Sequence, residues 1–124
     1  MPKILLVDDD KLTIEMFTVA FQRKGFDIRV AFNGEQALAL VSLEVPDAVL
    51  LDLRMPGLSA NDVCTTLRAA PLTADIPILI ISAATDAEVR AAVTGATAYV
   101  RKPVNLLELT ALLTKLLEDH ASPV

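Results

Sequence analysis

Along the chain, short unbroken apolar runs alternate with stretches in which apolar positions recur every three or four residues. The runs are KILLVD (3–8), FDIRVA (26–31), DAVLLD (47–52), IPILIIS (76–82) and TAYV (97–100), each of strand length. Between them the spacing predicts helices. The first covers about 11–24, places Leu12, Met16, Val19 and Ala20 on one face, and stops at Gly25, a residue suited to the left-handed position after a helix. The second follows Asn33, a capping side chain with Gln36 three residues on, and the last follows Asn105 with Glu108 three residues on. Two more helices fit 60–69 and 86–94. Strand then helix, five times over, predicts an α/β domain with a parallel sheet covered on both faces.

The patterns also order the strands. The first, third and fourth runs are apolar throughout, as burial on both faces requires, whereas the second alternates Phe26, Ile28 and Val30 with Asp27 and Arg29, and the fifth is short. The second and fifth are therefore edges. With right-handed crossovers the order is 2-1-3-4-5, the flavodoxin-like doubly wound (βα)5 sandwich, whose ligand crevice lies beyond the carboxyl ends of strands 1 and 3.

To that edge the strands deliver Asp8 and Asp9, Asp52, Ser82 and, just past the fifth, Lys102. Neighbouring carboxylates repel, by roughly 4 kcal/mol for a pair about 4 Å apart at an effective dielectric of about 20, so the acids call for a compensating cation. Asp8, Asp9 and Asp52 make a site rich in hard oxygen and poor in nitrogen and sulfur. Such a site suits Mg²⁺, which keeps several waters for a phosphate to replace. Asp10 is expected to cap the first helix.

Composition narrows the picture further. The 124 residues, 53% of them hydrophobic, fit one domain spanning 1–124 with a single core. Eleven Lys and Arg against 16 Asp and Glu leave a net charge of −5, which argues against a direct nucleic-acid or anionic-membrane partner. No run is long enough to span a membrane and no signal-peptide layout opens the chain, so the expected location is the cytoplasm. The single cysteine, Cys64, cannot form an internal disulfide and reads as a small packed residue; His120 is given no ligand role.

The motifs ILLVDDD, VLLDLRMPG, PILIISA and AYVRKPV, in this order and at these separations, closely resemble the receiver domain of two-component response regulators, the CheY-like family. The resemblance covers nearly the whole chain. It implies that Asp52 is the phosphoacceptor, that Asp9 binds the metal directly, Asp8 largely through water and Arg54 through its backbone carbonyl, and that Asp52 completes the metal site. It further implies that the Ser82 hydroxyl and Lys102 hold the phosphoryl group, that Tyr99 moves with phosphorylation, and that the Lys102–Pro103 bond is cis. The cofactor is then Mg²⁺, for which Mn²⁺ can substitute. The partners are a sensor histidine kinase or phosphotransfer protein, docking on the side of the first helix, and a downstream target or second copy meeting the face of the fourth helix, fifth strand and fifth helix. That face includes a last helix with more leucines (106, 107, 109, 112, 113, 116, 117) than one buried stripe needs. The protein is then a phosphoacceptor switch, not an enzyme, although it catalyses its own phosphorylation and dephosphorylation.

Two departures from the family pattern stand out. After Met55-Pro56-Gly57 the chain reads Leu58, Ser59, Ala60 instead of an acidic residue and glycine, and the segment from Ser82 to Lys102 is short, which should trim the fourth helix or the loop near it. Other classes fit less well. A phosphatase of the haloacid-dehalogenase type carries a second acid two residues after its nucleophile and a cap domain, whereas here that position is Arg54 and no residues remain for a cap. A nucleotide-binding module needs a glycine-rich turn where the aspartates stand. Within the receiver reading, the chain is a stand-alone switch or shuttle without an output domain, or the receiver of a longer DNA-binding or enzymatic regulator.

Overall fold

In the computed structural model, which describes residues 1–121, five strands and five helices alternate without interruption. They are β1 (Lys3–Val7), α1 (Lys11–Arg23), β2 (Asp27–Ala31), α2 (Gly34–Leu43), β3 (Ala48–Asp52), α3 (Ala60–Ala69), β4 (Ile78–Ser82), α4 (Asp86–Ala92), β5 (Ala98–Arg101) and α5 (Leu106–Ala121). All four strand pairings are parallel and the order is β2-β1-β3-β4-β5, as the hydrophobic patterns predict. Every residue of β3 and β4 is buried, while the edge strands β2 and β5 carry partly exposed positions.

Alternation along the central strands divides the core into two layers. Leu5, Val7, Val49, Leu51, Ile78 and Ile80 pack with Ala37 of α2, Val63, Cys64 and Leu67 of α3 and Val89 of α4. Ile4, Leu6, Leu50, Leu79 and Ile81 point the other way, onto Ile14, Phe17 and Phe21 of α1 and Leu109, Leu113 and Leu117 of α5. Burial pushes the Cys64 thiol up to about 11, against a weaker pull from Arg68, so it is a core residue and a poor nucleophile.

Helix α1 buries a different stripe from the one its spacing first marks. The face holding Leu12, Met16 and Val19 points outward, at 64%, 50% and 50% exposure, with Ala20 half-buried beside it. The helix is held instead by Ile14, Phe17 and Phe21. These form a second apolar stripe with larger side chains, and Phe21 lies edge-on to both Phe17 and Phe26, with ring centroids 5.8 and 6.0 Å apart. Bulk decides which stripe goes inside.

Helix ends are set by local chemistry. Asp10, Asn33, Ser59, Thr85 and Asn105 each accept a hydrogen bond from a first-turn backbone N–H. Gln36 reaches back from the first turn of α2 to accept from Phe32 N at 2.8 Å, and Gly25 takes up φ +88° after α1. Helix α4 is short, at seven residues, and the loop after it is fastened to α3: Thr94 N donates to Asn61 Oδ1, and Arg68 donates to Gly95 O and Thr97 Oγ1.

Candidate functional site

The parallel register brings the carboxyl ends of β1, β3 and β4 level. Val7 pairs with Leu51 and Asp52 with Ile81, so Asp8 follows β1 beside the end of β3, and Ser82 ends β4 one residue past the partner of Asp52. Each acid is positioned by backbone: Asp8 N donates to Ala31 O at 3.1 Å, and Leu53 N, just after Asp52, donates to Ile81 O at 3.1 Å. The result is a cluster in which one carboxylate oxygen each from Asp8, Asp9 and Asp52 lies within 4.8 Å of the others.

The three acids differ in surroundings. Asp8 and Asp52 are buried, at 2% and 6% exposure, and Asp9 is open to solvent. Asp8 Oδ1 accepts from Asp10 N at 2.9 Å, which turns the carboxylate back against the start of α1. Asp52 Oδ1 accepts from Arg54 N at 3.3 Å and lies 3.5 Å from Lys102 Nζ. Burial, reinforced by the charge of Asp8, raises the pKa of Asp52 above its ordinary value; Lys102 and the Arg54 amide oppose the shift without cancelling it. Asp10 stands apart. Its oxygens cap α1 by accepting from Leu12 N and Thr13 Oγ1, and these bonds hold its carboxyl below the usual range.

Ser82 is buried, its Oγ accepting from Ala84 N at 3.0 Å, and its carbonyl accepts from Lys102 N at 2.9 Å. That backbone bond carries β5 past its last residue and sets Lys102 over the acids. The Lys102–Pro103 peptide bond is cis. Tyr99 pairs with Ile80 across the sheet and packs half-buried in the α2-α3-α4 layer, with the Arg90 guanidinium 5.6 Å from its ring centroid. It belongs to the adjoining face rather than to the acid cluster. Sequence reasoning missed Glu35, whose carboxylate receives the backbone N–H of Leu58 from the loop after β3. A glutamate in a first helical turn is ordinarily read as a partner for the helix dipole, so only the fold shows where it reaches.

Every candidate ligand atom in the cluster is a carboxylate oxygen, a donor set that fits a hard divalent cation of the Mg²⁺ type.

A doubly wound sheet with a buried aspartate at the end of its central strand, two acids just past the end of the neighbouring strand, and a hydroxyl and a lysine alongside defines a CheY-like receiver. The chain belongs to the response regulator receiver domain family, whose model matches residues 4–114. It is a module of two-component signalling. It is 43% identical over 111 residues to the DNA-binding response regulator MtrA of Mycolicibacterium smegmatis, a match covering 88% of this chain and 47% of that protein. The chain thus spans about half the length of such curated relatives. Among solved structures it is similar to a putative response regulator from Chloroflexus aurantiacus (TM-score 0.88, 33% identity, 94% of this chain and 97% of that one). It is also similar to the chemotaxis response regulator CheY4 of Vibrio cholerae (TM-score 0.85, 28% identity, 94% and 98%).

Proposed function

We propose that the domain takes a phosphoryl group from the phosphohistidine of a sensor histidine kinase or phosphotransfer protein onto Asp52 and thereby changes a partner-binding face. The observation that carries this reading is the placement of Asp52: buried at the end of the central strand, 3.5 Å from Lys102 Nζ and within 4.8 Å of two further acids. Asp8, Asp9, Asp52 and the backbone carbonyl of Arg54 would hold Mg²⁺, or Mn²⁺ in its place. When bound, the cation supplies positive charge to the oxygens of the phosphoryl group in transfer.

The chain's own residues do the rest. An Asp52 carboxylate oxygen attacks phosphorus in line with the departing imidazole; the P–O bond forms as the P–N bond breaks, and its electron pair returns to the ring. Lys102 pairs with one phosphoryl oxygen. The Ser82 hydroxyl, whose oxygen is already held by Ala84 N, has its own proton to donate to another. The donor is expected to dock on the outward stripe of α1, where the exposed Leu12, Met16 and Val19 line an apolar surface together with the half-buried Leu106 at the start of α5.

Readout is assigned to Ser82 and Tyr99 at the face of α4, β5 and α5, toward a target protein or a second copy. The added charge of about −1.5 to −2 draws Ser82 toward it, and Tyr99 turns into the space released. Several of the surplus leucines of α5 support this less directly than their number implies, because Leu106, Leu112 and Leu116 are partly buried against the core.

Intact-mass measurement after incubation with acetyl phosphate and Mg²⁺ tests the assignment. One added phosphoryl group is expected, lost in Asp52→Asn; an adduct that persists in that variant overturns it.

A further inference from the structure

Two helices and a loop meet unusually closely beside the acid cluster. Glu35, in the first turn of α2, accepts the Leu58 N–H on Oε1 at 2.6 Å across 23 residues of sequence. A Cβ at Gly57 would sit 2.8 Å from both oxygens of the same carboxylate, and the Gly57 backbone has φ +78°. The neighbouring Gly34 is as tightly placed: its Cβ would come 3.0 Å from both Cβ and O of Leu58 and 2.9 Å from Val63 Cγ2. The amino end of α2 and the loop between β3 and α3 therefore touch backbone to backbone, at positions that side chains would block.

This loop begins at Asp52 and includes Arg54. Its near end is held by Arg54 N on Asp52 Oδ1, its far end by Leu58 N on Glu35, and Ser59 then caps α3 by accepting from Asp62 N. Between the two anchors, Pro56 removes one backbone freedom. Glu35 is exposed and belongs to neither core layer, so its contact governs the path of this loop rather than the packing of the domain.

We propose that Glu35 is a positioning residue for the metal site: by holding Leu58 it fixes the loop that presents the Arg54 carbonyl beside Asp52. This rests on the metal site proposed above.

Mg²⁺ affinity, measured by amide chemical-shift titration on the native domain and on Glu35→Gln and Glu35→Ala, tests it, together with exchange of the Leu58 amide. Glu35→Ala should weaken Mg²⁺ binding about tenfold, the lower end of the usual effect of groups that orient a ligand, and speed Leu58 exchange while leaving the melting temperature nearly unchanged. Glu35→Gln keeps an oxygen acceptor and should stay within about twofold of native. Native affinity in Glu35→Ala overturns the proposal, as does equal loss in the Gln and Ala variants, which would assign the effect to charge. Gly57→Ala, pressing its Cβ on the Glu35 carboxylate, should also weaken Mg²⁺ binding; unaltered affinity there counts equally against it. A native domain that fails to bind Mg²⁺ at all instead refutes the metal site itself.

Discussion

Asp52 shows how one side chain's surroundings reach into global stability. Its folded pKa lies above the ordinary 3.8, so its ionised form is penalised in the folded state, chiefly by burial and then by Asp8. The sign follows from linkage: below about 3.8 the group is protonated in both states and costs nothing, and the cost grows as pH rises through the folded pKa, then stays constant. In metal-free protein, Asp52→Asn should therefore be more stable than native at pH about 7, by roughly 1 kcal/mol once the lost Lys102 pair is set against the relieved repulsion. The gain should shrink toward zero below pH about 4, and thermal melts across that range check it. A gain largest in acid would contradict the account. The identity of these residues was legible in sequence because chemistry at the ends of apolar runs is conspicuous; which acid is buried and which is exposed was not.

At the scale of elements, α1 carries two apolar stripes with different tasks. Ile14, Phe17 and Phe21 hold the helix to the sheet, so Phe17→Ala should cost about 3 to 5 kcal/mol. The outward stripe holds nothing inside the domain. The double variant Leu12→Ser, Met16→Ser should change stability by no more than about 1 kcal/mol and leave phosphorylation by acetyl phosphate intact, while slowing transfer from a phosphorylated histidine kinase at least tenfold. Transfer from the kinase at the native rate would clear α1 of any role in docking. Helix α4 and the loop after it raise a different question. Asn61 and Arg68 tie residues 94–97 to α3, so the carboxyl end of α4 is anchored while its amino end, at Asp86 just after the loop that follows Ser82, is held mainly by the Thr85 cap. Amide shifts recorded with and without beryllofluoride should accordingly change most from Ser82 through the first turn of α4 and at Tyr99. Changes confined to the acid cluster, with residues 83–117 silent, would refute this readout.

For the molecule as a whole, three acids crowd one end of the sheet, a donor set that fits a hard divalent cation. Mg²⁺ that binds the folded state alone should raise the melting temperature, by about 2.7 kcal/mol in stability at a hundred times its dissociation constant. Asp9→Asn should leave the metal-free fold as stable or more stable and abolish that response. A strongly destabilised Asp9→Asn that still responds to Mg²⁺ would remove Asp9 from the metal site. None of the described helices is long and apolar enough to cross a membrane.

Sequence by itself determined the strand order and the list of chemical groups at the crevice, because two-sided burial writes an unbroken apolar run and a parallel sheet sends every strand's carboxyl end to one edge. It could not decide which stripe of α1 faces inward, since Leu12, Met16 and Val19 satisfy helical spacing as well as Ile14, Phe17 and Phe21 do, and only packing against Phe26 and the sheet separates them. Nor could it show the grip of Glu35 on Leu58 or of Arg68 on Gly95, because these bonds join residues 23 and 27 positions apart whose approach depends on how the helices settle on the sheet. Periodicity is a local property and survives in one dimension; the choice between two acceptable faces, and the meeting of distant backbones, is made only when the layers close.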